Sequence, residues 1–314
     1  MKKLVISLII ILFLFPFYSI SQSLNNLNFG TNNNLNIITW NLEWFAKYNQ
    51  TTIDSLSVAI SALDVDIIAV QEISDVSEFL ALINQLNGYS GYYSVSNLRL
   101  GFIYKSSLSV SSISTIFTNN TYNFAGRPPL VMHLIFNSED FFVFNLHLKC
   151  CGDGFLDFSN SSDEENRRFN SLNLLKNYID QNHPTDNIVI LGDFNDLLTD
   201  NFSNNIFNQF ITDSANYKIA DMDIAYGNSS NWSFPSWPSH LDHIIISNEL
   251  IDNFNNSNVA TIRIDNYLIG GFNTYDAIIS DHLPVGISLN FTTNIYGCTD
   301  SSAMNYNTLA TIDD

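Results

Sequence analysis

A layered α/β fold is what this chain of 314 residues predicts, and two observations predict it. Apolar runs of strand length alternate with segments whose apolar residues recur at helical spacing, and strand-like runs dominate farther along. Polar or ionisable residues then close strand after strand, at positions where burial of the strand itself does not call for them.

The elements follow in order. Residues 22 to 34, "QSLNNLNFGTNNN", read as a flexible Asn-rich leader to a domain spanning 35–292. "LNIITWN" (35–41) reads as a buried strand. Ile53, Leu56, Ile60 and Leu63 mark a helix, "VDIIAVQE" (65–72) a second strand, and Val76, Phe79, Leu80, Ile83 and Leu86 a second helix. The middle supplies "GYYSVSN", "LGFIYK", "LSVSSISTIF", "LVMHLIF" and "FFVFNLHLK" as strands. A Ser/Asp/Gly loop (151–162) leads to a helix with the stripe Phe169, Leu172, Leu175 and Ile179. Its start offers a capping box, Ser161–Glu164 or Ser162–Glu165. The remaining strands are at 188–192, 241–247 ("LDHIIIS"), 259–264 ("VATIRI") and 284–291 ("PVGISLNF").

The ends of the chain differ from this core. "MKKLVISLIIILFLFPFYSISQS" has two lysines, an apolar run and small residues at Ser19 and Ser21, the layout of a signal peptide (1–21) cut before Gln22. The rival is an uncleaved membrane anchor; Pro16 and the Ser-Ile-Ser site favour cleavage and a secreted or cell-surface protein. The tail (293–314) is small, acidic and Asn-rich. It is similar to short Cys-bracketed modules appended to exported proteins, but Cys298 has no second cysteine after it.

Composition excludes some functions. With 46% hydrophobic residues the chain can bury a sizeable core. A net charge of −19 rules against tight, non-specific binding of polyanions through a basic face. An enzyme acting on a phosphate ester remains open if a metal ion reverses the sign locally. The three cysteines, Cys150, Cys151 and Cys298, form no CxxC, and no His/Cys cluster has zinc spacing. They are expected free or locally paired. The aromatic groups "YY" (92–93) and "WSFPSW" (232–237) are expected to pack in the core or loops rather than stack on bases.

The chemistry lies in the residues that end the strands: Asn41, Glu72, His147, Asp193, Asn195, Asp242, Asp281 and His282. Strand ends on one edge of a sandwich converge, so these side chains are expected to line a single cleft. Asn41, Glu72 and Asp281 are hard oxygen donors suited to Mg²⁺, with Mn²⁺ or Ca²⁺ as alternatives, rather than zinc. His282 is the titrating group that a buried Asp242 would orient. Asp193 and Asn195, if extended, project to one face and would hold a water or a phosphate oxygen. Together they meet the needs of phosphodiester hydrolysis: neutralised phosphate oxygens, an aimed water and a stabilised leaving group.

Six ordered motifs, "WNLEWF", "VQEI", "NLHLK", "GDFND", "LDHIIIS" and "SDHLPV", give the chain a resemblance to the endonuclease/exonuclease/phosphatase superfamily of deoxyribonuclease I and neutral sphingomyelinases. The resemblance runs from about Leu35 to Phe291. It implies a four-layered α/β sandwich of two packed, mainly antiparallel sheets flanked by helices, and metal-dependent hydrolysis of phosphate esters. By position, Asn41 and Glu72 resemble the family's metal-site pair, and Asp193 and Asn195 its catalytic GDxN pair. Asp242 and His282 resemble its coupled Asp–His pair, with Asp281 beside it, and His147 resembles the histidine of the nuclease and sphingomyelinase branches. Arg127 in "FAGRPPL" sits where similar nucleases contact phosphate; the alternative is a surface salt bridge. Lys149 is expected in a supporting loop contact and Tyr104 in the core. The family's glutamate that supports the equivalent of His147 is replaced here by Leu98.

The reading that follows is an exported Mg²⁺-type phosphodiesterase, an endonuclease acting transiently on DNA as a monomer, with no protein partner implied. His282, paired with Asp242, is the favoured base; Asp193 orients water or helps the leaving group, and His147 stabilises the phosphate. The rivals are a sphingomyelinase-like phosphodiesterase, a phosphomonoesterase, and a surface binding protein without catalysis.

Overall fold

A computed structural model describes residues 23–31, 33–96, 98–255, 257–291, 297–308, 310 and 313. The expected signal peptide and its cleavage site lie outside the described residues.

Twelve strands are described: β1 (Asn34–Phe45), β2 (Ile67–Ile73), β3 (Tyr89–Tyr93), β4 (Arg99–Lys105), β5 (Ser109–Thr115), β6 (Leu130–Phe136), β7 (Glu139–His147), β8 (Asn187–Asp193), β9 (Tyr217–Ile219), β10 (Asp242–Ser247), β11 (Asn258–Thr261) and β12 (Val285–Asn290). They form two six-stranded sheets, ordered β11-β12-β1-β2-β4-β3 and β5-β6-β7-β8-β10-β9. Each sheet has one parallel pair, β1–β2 and β7–β8, and the other pairings are antiparallel.

The period-two alternation of the strands separates three apolar layers. Ile38, Trp40 and Leu42 of β1 pack outward on α1 (Gln50–Leu63) and α2 (Val76–Gln85). Phe144, Ile188 and Ile190 pack outward on α3 (Glu164–Asn182). Between the sheets, Leu35, Ile37, Ile67 and Ala69 meet Met132, Val143, Val189, Leu191 and Ile244. The result is the four-layered α/β sandwich that the sequence led us to expect. Among the described residues no helix is long and apolar enough to cross a membrane.

Local departures have physical causes. The cap of α3 is Asp163, whose side chain accepts from Asn166 N–H, rather than either predicted serine. Ser162 instead donates to Asn160 Oδ1; a carboxylate at the positive end of the helix displaces the serine box. Leu80 points to solvent while Phe79 and Leu82 carry the buried face of α2. The strand at 259–264 stops at Thr261, and Ile264 begins a 3₁₀ turn.

Toward one end of the sandwich the inner layer changes from apolar to polar. Thr39, Gln71 and Asn145 are fully buried there. Asn145 of β7 donates across the sheet interface to the carbonyls of Val70 (3.0 Å) and Gly101 (2.8 Å), and accepts from Gln71 Nε2 (2.8 Å). These carbonyls lie where the β2–β4 register shifts after Val70, so one amide satisfies the break and ties the sheets together. Asn145→Ala would take this donor from two buried carbonyls, while Gln71 keeps Thr39 Oγ1 and Ala69 O, and is expected to cost about 2–4 kcal/mol in urea unfolding. A loss below about 1 kcal/mol would contradict this bridging role.

Candidate active site

Two residues beyond Asn145 on β7, the inner face becomes ionisable. His147, Asp193 and Asp242 are direct partners across β7, β8 and β10: His147 is in register with Asp193, and Asp193 with Asp242. Residues in register share a face, so all three point inward, as do Leu191 and Val189, two and four residues earlier on β8. From the other sheet Asn41 continues the inner row of Leu35, Ile37 and Thr39. Its amide donates to Asp193 Oδ2 (3.0 Å) and Glu72 Oε1 (3.3 Å), and its oxygen accepts from Glu43 N–H (2.9 Å).

Glu72 reaches this row through the bulge. By simple alternation it would follow Ile68 and Val70 to the helix-covered face. The register shift after Val70 and a left-handed backbone at Glu72 (φ 63°) re-aim it into the cleft. There Oε2 accepts from Trp44 N–H (3.1 Å), and Oε1 lies 3.7 Å from His147 Nε2.

His282 and Asp281 arrive from the segment before β12. His282 Nδ1 is 2.7 Å from Asp242 Oδ2, and Nε2 lies 4.0 Å from Asp193 Oδ2 and 3.9 Å from Asp281 Oδ1. The loop is anchored on both sides: Ser280 Oγ donates to Asn41 O, and Tyr275 hydroxyl donates to His282 O while accepting from Trp40 Nε1. Burial alone would drive the His282 proton off, but Asp242 and Asp193 overcome it and push the imidazole up to about 10. Burial, with repulsion from Asp242 and Glu72, pushes Asp193 up to about 6 despite His282. Asp281 is likewise pushed up to about 6 by burial and by Glu43 and Glu72. His147 is held well below its ordinary range by burial, with Arg127 and His282 adding repulsion. It is a neutral ring with two carboxylates on its Nε2 side, and among the described residues its Nδ1 has no hydrogen-bond partner.

This crowding is the test of a cation's fit. Glu72, Asp193 and Asp281 face one cleft, and burial holds two of them above the ordinary carboxylate range, which His282 offsets only in part. An oxygen-rich, carboxylate-heavy hollow is what a hard divalent ion takes. Glu72 and Asp281 would hold it, and Asn41 would join through its oxygen once that atom leaves Glu43.

Other expected positions depart from the sequence reading. Asn195 is not extended: with φ 55° it folds back and donates its N–H to Asp193 Oδ1 (2.9 Å). Both nevertheless line the cleft. Arg127 is half-buried and, among the described residues, makes no salt bridge, with Asp193 and Glu72 as its principal charge partners. Its Nε donates to His147 O (3.1 Å) and its Nη2 to Leu148 O (2.6 Å), which fixes the end of β7 from behind. Asp196 serves structure by accepting from the buried Arg168 Nε (2.7 Å). Lys149 Nζ donates to Cys150 O and lies 3.5 Å from Glu164. Of the aromatics, Phe234 leans over His282 (4.8 Å between centroids), and Trp237, 77% exposed, lines the cleft instead of packing in a loop.

Sequence reasoning missed Asp221, His240 and His243, whose ligand atoms lie within 4.8 Å of one another and are close enough to hold a metal ion. His240-x-x-His243 in "SHLDH" was the available signal. All three are buried behind the catalytic row and hydrogen-bonded. Asp221 Oδ2 receives both His240 Nε2 (2.9 Å) and His243 Nδ1 (2.7 Å), and Asp221 Oδ1 accepts from Ile244 N–H. His243 Nε2 faces Asp196 O (2.9 Å), so both its nitrogens meet acceptors and the ring is an imidazolium. His240 Nδ1 accepts from Ser233 N–H and is neutral. Holding a cation would cost the group these bonds. A second acidic group, Asp153, Asp163 and Glu165, is equally close-set in the loop before α3.

Comparison with known proteins agrees with this geometry. No curated protein matches the chain by sequence. Among solved structures, TDP2 of D. rerio in complex with single-strand DNA product is similar at a TM-score of 0.62 and 15% identity, covering 82% of this chain and 99% of that one. The human Nocturnin catalytic domain with bound sulfate gives 0.58 and 18% (84% and 97%). A mannosyl-6-phosphatase of Bacteroides thetaiotaomicron gives 0.55 and 15% (82% and 100%). The model of the Endonuclease/Exonuclease/phosphatase family matches residues 38–282, from the first strand to the histidine of the cleft, and the chain belongs to that family.

Proposed function

We propose that this protein is an exported, divalent-cation-dependent phosphodiesterase that hydrolyses DNA internally and acts as a monomer. One observation carries the reading: Glu72, Asp193, Asp281, His147 and His282 share one open cleft, with Asp242 behind His282. A divalent ion held by Glu72 and Asp281 would supply positive charge to the phosphate oxygens and the leaving group. The chain's own residues supply the rest. With the carboxylates compensated, His282 holds its proton less tightly and can take one from a water at Nε2. Asp242, at 2.7 Å, keeps the ring oriented for that transfer. Asp193, between His282 and His147, positions the water. His147, 3.5 Å from Asp193, meets a phosphate oxygen through Nε2. The open cleft, with Trp237 at its edge, suits an extended substrate rather than an enclosed metabolite.

The DNA-product complex of the similar D. rerio TDP2 supports a nucleic-acid substrate. The likeness to a mannosyl-6-phosphatase keeps phosphomonoesters as the alternative. Export is supported by the basic, then apolar, then small-residue order of the first 23 residues.

Incubation with plasmid DNA, RNA, sphingomyelin and a sugar phosphate separates these readings. Plasmid nicking is expected with Mg²⁺ or Mn²⁺, is abolished by EDTA and returns when the cation is restored. Cleavage of lipid or sugar phosphate with the plasmid intact would overturn the nuclease assignment. His282→Ala is expected to fold normally and to lower kcat by about 10²–10⁴-fold. A variant within about threefold of wild type would remove His282 as the base.

A further inference from the structure

Two cysteines that the proposed chemistry does not use stand at the edge of the cleft. Cys150 and Cys151 are adjacent and exposed, and their Sγ atoms are 3.0 Å apart, with the Cys151 S–H donating to Cys150. Both line the cleft that holds His147 and Asp193. We propose that they form a redox-modification site, closing to a vicinal disulfide by exchange with a small-molecule disulfide and reopening with thiols.

Three features support this site. First, the sulfurs already face each other, so closure needs no partner from elsewhere in the chain. Second, adjacent Cα atoms are about 3.8 Å apart, below the span of about 4.4–6.8 Å usual for a disulfide. The closed ring is therefore strained and exposed, the class of bond that is labile rather than structural. Third, the pair is wired to the site. Arg168 Nη1 donates to the carbonyls of Lys149 (2.7 Å) and Cys151 (2.8 Å) while its Nε holds Asp196 of the "GDFND" segment. Cys151 has a left-handed backbone (φ 70°). A ring that turns the Cys150–Cys151 peptide reorients the peptides on either side of it, whose carbonyls, Lys149 O and Cys151 O, are the two that Arg168 grips, and with them the loop carrying Asp196.

The exchange balances with glutathione disulfide as oxidant. The thiolate of Cys150, whose Sγ has Lys149 Nζ at 3.9 Å, attacks one glutathione sulfur; that S–S bond breaks and one glutathione thiolate leaves. The Cys151 thiolate then attacks Cys150 Sγ in the mixed disulfide and expels the second glutathione thiolate. The protein loses two hydrogens, and the oxidant becomes two thiols.

Peptide mass mapping of the full chain tests the site without reference to any substrate. Trypsin cuts after Lys149 and Arg167 and leaves both cysteines in the peptide 150–167, apart from Cys298. After glutathione disulfide, that peptide is expected to lose about 2 Da and to regain it with dithiothreitol. Cys150→Ser should instead carry a glutathione adduct on Cys151. Stable double adducts in the wild type, a link to Cys298 or an unchanged peptide would each overturn the proposal. The coupling to the cleft rests on the hydrolase reading and has its own measurement. Oxidation is expected to lower kcat/KM by about threefold or more in the wild type, reversibly, and to leave the C150S/C151S double variant unaffected. A disulfide that forms without changing kcat/KM would refute the coupling and leave the modification site standing.

Discussion

Everything at the cleft depends on the level at which the interface between the two sheets stops being apolar. Along β1, β2, β7 and β8 the inner row runs from Leu, Ile and Val to the buried amides of Gln71 and Asn145, and then to Asn41, His147 and Asp193. Burying those charges one row deeper would leave them uncompensated in hydrocarbon, and one row outward would let water screen them. The amide layer separates these two situations. It satisfies the carbonyls left by the β2 bulge and sets the depth at which carboxylates can still reach solvent, substrate and a cation.

The bulge has a second consequence. It is the only way that Glu72, one residue after an inward-facing glutamine, can also face inward. The same device therefore ties the sheets and supplies a charge to the site. Behind the row, a further set of buried contacts holds the backbone. Arg127 grips the end of β7, Arg168 grips Asp196, and the Asp221–His243 pair spans the "GDFND" segment and β10. Three cationic side chains stand behind a cleft lined by carboxylates. Arg127, Arg168 and His243 are each engaged by backbone carbonyls or carboxylates of the frame, which leaves His282 as the cationic group beside Asp193 and Asp281 and more negative than positive charge at the cleft. In a protein of net charge −19, a bound divalent ion offsets that excess locally.

Much of this was legible in the sequence, for definite reasons. The strand ends were readable because apolar runs of fixed period stop abruptly at polar residues, and the helices at 50–63, 76–85 and 164–182 because their stripes recur at 3.6 residues. The convergence of Asn41, Glu72, His147, Asp193, Asp242, Asp281 and His282 on one cleft was expected from their shared position at strand ends. What stayed hidden depended on backbone irregularity or on contacts distant in sequence. The inward turn of Glu72 and the folded-back Asn195 both need positive φ, which periodicity does not report. The hold of Arg127 on the end of β7 was hidden because an arginine's backbone acceptors cannot be read from its neighbours. Asp221 lies 19 residues from His240, and β9 is three residues long, too short to show a period.

In the proposed site the carboxylates of two sheets gather around a divalent ion. The direct measurement is anomalous diffraction from crystals grown with Mn²⁺. A peak bound by Glu72 and Asp281, within reach of Asn41, is the predicted result. A crystal whose manganese is found only at Asp221, His240 and His243, or nowhere in the cleft, would contradict it.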